Sequence, residues 1–329
     1  MAEFEKHDFI QMVFPHEKTD WHEYLEEARQ NFVAIVEAIR KYEKVLLVCA
    51  DVEEAKRYFL DRSGIVFVKY ESDDTWARDS SAVSVEENGK TVLYDFVFNA
   101  WGGKFDAEKD NAMTQALKKY YTCDVKKEDF ILEGGGIETN GRGILLTTSA
   151  CMLNQNRNKM EAKEVTERLR RYFGVKDIVY LQNGYLLGDD TDSHIDTLAR
   201  FVDEKTIMYV RCEEKSDEHY EALYAMEQEL KELTKVYDFQ LIPLPFCDPL
   251  FYKGERLPAT YANFLMINGA VVVPIYGVKQ DQKAFAVFRS FFQDRDVVGV
   301  DCSVLVRQHG SLHCVTMQMH CENQVKEQK

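Results

Sequence analysis

Apolar positions along this chain follow two periods. Leu25, Ala28, Phe32, Ile35, Val36 and Ile39 recur at helical spacing and so share one face of a helix. Asp20 and Glu23 ahead of them read as a capping pair, which sets the helix start near Asp20. Residues 45–49 form an unbroken apolar run, as a strand buried on both faces would. Asn88-Gly89, Asn140-Gly141 and Asn268-Gly269 each separate two strand-like runs. Such dipeptides favour tight hairpins, because both turn residues need positive φ. A fourth hairpin is expected near Asp203-Glu204, between runs at 198–202 and 207–210.

A helical pattern follows each of these hairpins, at 110–121, 160–173, 217–233 and 281–292. A fifth unit pairs a last strand, 312–318, with a first strand, 9–14, and the helix after Asp20 completes it. The expectation is therefore an α/β fold of five hairpin-plus-helix units, a radial repeat closed by the two ends of the chain. Asp73-Asp74-Thr75 and Asp189-Asp190-Thr191 are its clearest internal echo. A doubly wound sheet is the rival; repeated hairpins argue against it, since parallel strands need crossovers. No Pro/Gly/Ser-rich linker interrupts the pattern, so 1–329 reads as a single domain with a polar tail at 322–329.

Composition narrows the function. With 329 residues, 45% of them hydrophobic, the chain can build a large core. Lys plus Arg total 41 against 56 Asp plus Glu, a formal charge of -15. Such a surface repels nucleic acid and anionic membranes and attracts small cations. Residues 1–12 carry Glu3, Glu5, Lys6 and Asp8 and lack the pattern of a signal peptide. The longest apolar stretch, 264–276, is broken by Asn268, Gly269 and Pro274 and is too short to span a bilayer. Eight scattered cysteines without a CxxC suit a reducing, cytoplasmic setting in which most thiols are small core residues.

Four polar clusters sit where the units begin: Asp74-Thr75-Trp76-Ala77-Arg78-Asp79, Leu132-Glu133-Gly134-Gly135-Gly136, the run from Asp189 to Asp196, and Gly310-Ser311-Leu312-His313-Cys314-Val315-Thr316. In a closed ring these points face one axis and converge. Together they offer a thiol, one or two imidazoles and several carboxylates, the ingredients of nucleophilic catalysis on a cation. Paired carboxylates fit a guanidinium bidentately, and a thiolate can attack its electrophilic carbon. A neutral amide or ester would need an oxyanion hole, which lining carboxylates oppose. Taken singly, each feature has a plainer meaning. Cys314 reads as a buried strand cysteine, His194 as a structural or exposed histidine, Trp76 as core, and Asp189, Asp190 and Asp192 as a solvated loop without EF-hand spacing. Glu133-Gly134-Gly135-Gly136 lacks the Lys and Ser/Thr of a phosphate loop. His313-Cys314 and His320-Cys321 do not form a zinc site, because alternate strand positions point to opposite faces; no metal is expected.

In combination these stretches resemble the agmatine deiminases, within the guanidino-group-modifying superfamily that includes arginine deiminases. The resemblance rests on Trp76-Ala77-Arg78-Asp79, Glu133-Gly134-Gly135 with Ile137-Glu138, Leu146-Thr147-Thr148 through Asn156-Arg157-Asn158, and Gly188-Asp189-Asp190-Thr191-Asp192 with 194–201. It continues in Tyr261-Ala262-Asn263-Phe264 and His313-Cys314-Val315-Thr316 with Gln318. It implies the pentein fold, a five-bladed α/β propeller of ββαβ-like units. It implies Cys314 as nucleophile, His194 as acid/base, Asp79 and Asp196 as guanidinium ligands, and Glu133 as orienter of His194 or as a binding group. Trp76 and Asp190 would line the channel for the distal amine. The implied substrate is a small cation, agmatine, converted without a cofactor to N-carbamoylputrescine on the way to putrescine. The sequence leaves the oligomeric state open, a homo-oligomer included. Many members carry Asn or Ser in place of Gly136 and Gly in place of Ser193. A deiminase of peptidyl-arginine or another arginine derivative, and a non-catalytic polyamine-binding protein of the same fold, are the other readings.

Overall fold

The computed structural model describes residues 1–321; the polar tail expected at 322–329 lies outside them. The fold is mixed α/β. β1 (Phe9–Val13), β2 (Lys44–Cys49) and β3 (Ile65–Lys69) run parallel in one sheet. β4 (Val83–Glu87) and β5 (Lys90–Val97) form a hairpin, which β6 (Asp124–Ile131) extends in parallel. The same pattern returns in β7 (Glu138–Thr139), β8 (Ile144–Thr148) and β9 (Asp177–Leu181), and in β10 (Ala199–Phe201), β11 (Thr206–Arg211) and β12 (Gln240–Pro245). A small ribbon of β13 (Phe251–Tyr252) and β14 (Glu255–Arg256) precedes its last return in β15 (Leu265–Ile267), β16 (Ala270–Ile275) and β17 (Asp296–Asp301). β18 (Met317–Met319) then pairs antiparallel with β1, so both ends of the described chain build one sheet.

The β2–β3 step passes through the short helix Val52–Lys56, and the other five parallel steps cross over through longer ones: Leu25–Ile39, Glu108–Leu117, Ala162–Phe173, Tyr220–Tyr237 and Gln280–Phe291. The longer ones are the five helices that the 3.6-residue period predicts, displaced at most a few residues at their ends. The first buries Ala28, Phe32, Ile35, Val36 and Ile39. Full burial of each larger side chain contributes roughly 1.5–3 kcal/mol, which holds the helix without a cap. The capping pair does not form: Asp20 precedes a short 3₁₀ turn, His22–Tyr24, and the helix begins at Leu25 with no side-chain cap bond.

The hairpin turns differ in mechanism. Only Asn88-Gly89 places both residues at positive φ, 53° and 75°. Asn140 instead accepts hydrogen bonds on Oδ1 from the amides of Arg142 and Ile144, capping a longer loop. Asn268 donates to the His7 carbonyl and to Glu43, tying the loop to the N-terminal segment. Asp203 organises its turn through the Lys205 and Thr206 amides.

Two further expectations are corrected. The last strand covers Met317–Met319 only, and Cys314 lies on an irregular turn before it. Side chains there satisfy the backbone in place of a sheet partner: Asn263 Oδ1 accepts from the His313 amide (2.9 Å), and Thr316 Oγ1 donates to the Leu312 carbonyl (3.1 Å). Cys123 and Cys321 are joined in a disulfide, although they stand 198 positions apart. Cys321 packs in one apolar cluster with Leu93, Val125, Met317 and Met319, and Cys123 packs against that cluster. The other six cysteines are free and buried. Among the described residues no helix is long and apolar enough to cross a membrane.

Candidate active site

The loops that begin the units meet at a cavity of about 740 Å³. Trp76, Asp79, Asp190, His194, Asp196 and Cys314 all line it. Glu133 does not; it stands behind His194, with Oε2 3.9 Å from Nε2.

Asp79 sits in a single turn, Ala77–Ser80, where both carboxylate oxygens are fixed. Oδ1 accepts from the Gly135 amide (2.8 Å) and Oδ2 from Trp101 Nε1 (2.9 Å). His194 Nδ1 lies 3.7 Å from Oδ2. The three glycines after Glu133 form a 3₁₀ turn inserted among these groups. A Cβ on Gly135 would fall 2.7 Å from His194 Nδ1 and 3.0 Å from oxygens of both Asp79 and Asp196; one on Gly134 would fall 2.3 Å from the Arg78 carbonyl. The backbone and the side chains of Asp79, His194 and Asp196 come so close at this turn that only glycine fits it.

His194 is buried, with its Nε2 edge facing Glu133 and the Cys151 thiol. Burial opposes the charged ring, yet Asp79, with Cys151 and Glu133, holds it well above the usual histidine range. Asp196 lies in the turn Ile195–Thr197. Its Oδ2 is 2.7 Å from His313 Nδ1, whereas Oδ1 has no hydrogen-bond partner among the described residues. Burial raises the Asp196 carboxyl, and the bond and charge of His313 more than offset this. The Cys314 thiol lies 3.4 Å from Asn263 Oδ1. Burial, then Asp196 and Asp79, push it well above the ordinary thiol range. The side chains by themselves therefore pair a neutral thiol with an imidazolium, and a bound cation between the two aspartates would reverse the pressure on the thiol.

The outer wall is acidic. Burial, then Asp189, pushes the Asp190 carboxyl up to about 6. Burial, then Asp20 and Asp110, pushes Asp74 up to about 8. Trp76 donates to Asp74 Oδ2 (2.9 Å) and lies so close over Gly310 that a Cβ there would fall 2.1 Å from the ring. The aspartates of the 189–192 loop separate by role. Asp189 takes the Thr191 hydroxyl and the Ser193 amide, shaping the loop. Asp192 is clamped by Arg157, Asn156 and Lys104. Lys104 meets Asp190 at its backbone carbonyl, and among the described residues no such clamp engages the Asp190 carboxyl. Asp192 and Ser193 both take φ of 65°, a left-handed backbone that suits glycine better than either residue.

Two groups of acidic, His or Cys side chains approach metal-holding distances among the described residues: Glu133 with Cys151 and His194, and Glu3 with Glu138 and His313. In both, arginine already engages the carboxylates: Arg157 Nε binds Glu133 (3.0 Å), and Arg200 binds Glu3 and Glu138. They are charge-compensated networks. Several contributors escaped sequence reasoning: Trp101, Cys151, Glu3 and the His313 side chain. Asn263 and Arg157 stand inside the motifs that carry the resemblance, where no role attached to them, so a signal for both existed.

A family model described as Porphyromonas-type peptidyl-arginine deiminase matches residues 1–319. The chain belongs to this family. An agmatine deiminase of Stutzerimonas stutzeri is 32% identical over 96% of this chain and 94% of its own length. A solved agmatine deiminase of C. jejuni with substrate bound superposes with a TM-score of 0.94 at 41% identity, covering 99% of this chain and 96% of that one. An agmatine deiminase of Enterococcus faecalis, solved while catalysing its reaction, gives 0.90 at 25% identity, covering 98% and 95%. The shared fold is mixed α/β.

Proposed function

We propose that this protein is an agmatine deiminase, hydrolysing agmatine to N-carbamoylputrescine and ammonia. The observation that carries the reading is the placement of one thiol and two carboxylates, Cys314 with Asp79 and Asp196, on a single acidic cavity beside His194. In this reading the five hairpin–helix–strand units are blades around one axis, forming one catalytic domain with the cavity at its centre. The convergence of loops from separate units and the β18–β1 pairing support that arrangement.

Asp79 and Asp196 hold the guanidinium by paired hydrogen bonds, fixing its carbon for attack. Their cationic guest favours the Cys314 thiolate, which adds to that carbon. His194 gives its proton to one amino group, the C–N bond breaks, and ammonia leaves an S-linked thiouronium. Water, losing a proton to His194, adds to the same carbon, and the C–S bond breaks to release the ureido product and the thiolate. The sum is guanidinium plus water to urea plus ammonium. Glu133 and Asp79 keep the imidazole charged for the first step. Trp76 and Asp190 receive the distal ammonium.

The test is to incubate the protein with agmatine, free arginine and an arginyl peptide and to measure ammonia and ureido product. Agmatine turnover is expected to dominate. The family's description makes the arginyl peptide the second arm, and preferential turnover there would replace this reading. Cys314→Ser should abolish turnover with the thermal melt unchanged, because a hydroxyl is far less ionised than a thiol. Cys302→Ser, at a cysteine outside the cavity, should keep most activity. A quenched wild-type reaction should carry the added amidino group on the Cys314 peptide.

A further inference from the structure

Asp196 is gripped from the side away from the cavity. Its Oδ2 meets His313 Nδ1 at 2.7 Å, and His313 Nε2 meets Glu3 Oε2 at 2.7 Å. An ionised carboxylate only accepts hydrogen bonds, so each ring nitrogen facing one donates. Glu3 is itself immobilised. Its Oε2 accepts from Arg200 Nη2 (2.5 Å) and its Oε1 from the Met266 amide (2.9 Å). Arg200 is fully buried and anchored to the carbonyls of Ala262 and Phe264. The chain Arg200–Glu3–His313–Asp196 thus ends at a residue that lines the cavity and whose Oδ1 is buried and without a partner among the described residues. A buried carboxylate oxygen left open costs free energy unless a donor fills it. A carboxylate free to rotate about χ2 would turn that oxygen to any donor within reach; one held at Oδ2 cannot.

We propose that His313, locked by Glu3, is a positioning residue that orients the Asp196 carboxylate so that Oδ1 receives the substrate guanidinium. The proposal rests on the agmatine reading above and deepens it. His313 precedes Cys314 in the chain, and its backbone amide shares the Asn263 Oδ1 acceptor with the Cys314 thiol. One rigid turn therefore sets both the nucleophile and the orientation of the carboxylate that holds the target. The aligning contact comes from Glu3, 310 positions away, which makes the N-terminal segment part of the site although it touches no substrate.

The experiment separates two halves of the histidine. His313→Asn leaves an amide nitrogen near the place of Nδ1 and keeps the Asp196 bond; His313→Gln leaves one near Nε2 and keeps the Glu3 bond. Each is made in the active protein for kcat and KM, and in the Cys314→Ser background for the agmatine dissociation constant by calorimetry. His313→Gln should weaken agmatine binding and raise KM by about tenfold or more relative to His313→Asn, the effect of one lost charge-assisted bond. A purely structural role would affect the two alike, or favour Gln, which preserves the Glu3–Arg200 end. Equal dissociation constants for the two variants overturn the proposal. Should neither show a cooperative melt, Glu3→Gln decides: a rise in KM of about threefold or more, with kcat less affected, supports it, and unchanged KM and binding overturn it. Wild-type protein that neither binds nor turns over agmatine removes the functional reading first, before any substitution is compared.

Discussion

At Gly135 a Cβ would meet three polar side chains of the cavity at once. The φ of Gly135 is not in the left-handed region, so a methyl group there meets only neighbours: His194 Nδ1 at 2.7 Å and carboxylate oxygens of Asp79 and Asp196 at 3.0 Å. Gly135→Ala should therefore displace the imidazole and both carboxylates while leaving the backbone unstrained. A shift approaching 1 Å at reacting groups costs on the order of 100-fold in rate, so kcat/KM for agmatine should fall by about that factor, while overpacking of the buried turn costs about 1–3 kcal/mol of stability. Steady-state kinetics beside a thermal melt checks both halves. Cys314 gives a second prediction at this scale. Its thiol is held well above the ordinary range by burial and by Asp196 and Asp79. Thiolate forms only as pH rises past that raised value, so alkylation of Cys314 by iodoacetamide in the ligand-free protein should be slow at neutral pH and still accelerating at about pH 9. A cationic guanidine in the site lowers the thiol instead. Peptide mass spectrometry across pH reads the alkylation rate, and a plateau near pH 7 would mean that Asp196 and Asp79 do not hold the thiol up.

At the level of elements, the hairpins test whether local turn chemistry carries the fold. Gly89 takes φ of 75°, and a Cβ there meets nothing within 4 Å. Gly89→Ala should cost only the left-handed backbone penalty of about 1–2 kcal/mol. At roughly 2.1 cal/mol/K of unfolding entropy per residue, a chain of 329 residues loses about 1.5 °C of Tm per kcal/mol. Because β4–β5 lies outside the cavity, kcat should be unchanged, unlike Gly135→Ala. The contrast explains what the sequence makes legible. Asn88-Gly89 and the apolar stripe of Leu25–Ile39 are local patterns whose causes lie within a few residues, and both are readable. The turn bearing Cys314 is not, because what stops a strand there is Asn263, 51 positions away. Trp101 lies 22 positions from the Asp79 it braces, and Glu3 lies 310 from His313. The Cys123–Cys321 pairing likewise depends on neighbours that only the sheets create. The candidate site residues cluster in short motifs that the sequence displays; Trp101 and Glu3, which brace two of them, lie outside those motifs and carry no local signal.

For the molecule as a whole, the charge of -15 and the acidic cavity favour a substrate with positive charge at both ends. Agmatine is such a dication, and arginine differs mainly by a carboxylate beside its distal amine. The two lysines on the cavity wall do not offer that carboxylate a free partner: Lys18 pairs with Glu71 (3.0 Å) and Lys104 with Asp192 (3.1 Å). Asp190, raised to about 6 by burial and by Asp189, already shows how poorly the wall tolerates negative charge. A further carboxylate placed there would cost on the order of several kcal/mol. Each ~1.4 kcal/mol is a factor of ten, so kcat/KM for agmatine should exceed that for free arginine by at least about two orders of magnitude. The same carboxyls set the sign of the pH dependence. Asp74 and Asp190 lose their protons only near about 8 and about 6, so kcat/KM for agmatine should fall as pH drops through that window, when they become neutral and cease to attract the ammonium. Asp190→Asn should flatten the lower part of that limb and narrow the gap to arginine mainly by weakening agmatine, since removing one acid supplies no partner for a carboxylate. Parallel pH profiles on both substrates for wild type and Asp190→Asn measure all three effects. Comparable efficiency on arginine in the wild type would mean that a cation on this wall is freed to meet the carboxylate, and Lys104, released from Asp192, is the one placed to do so.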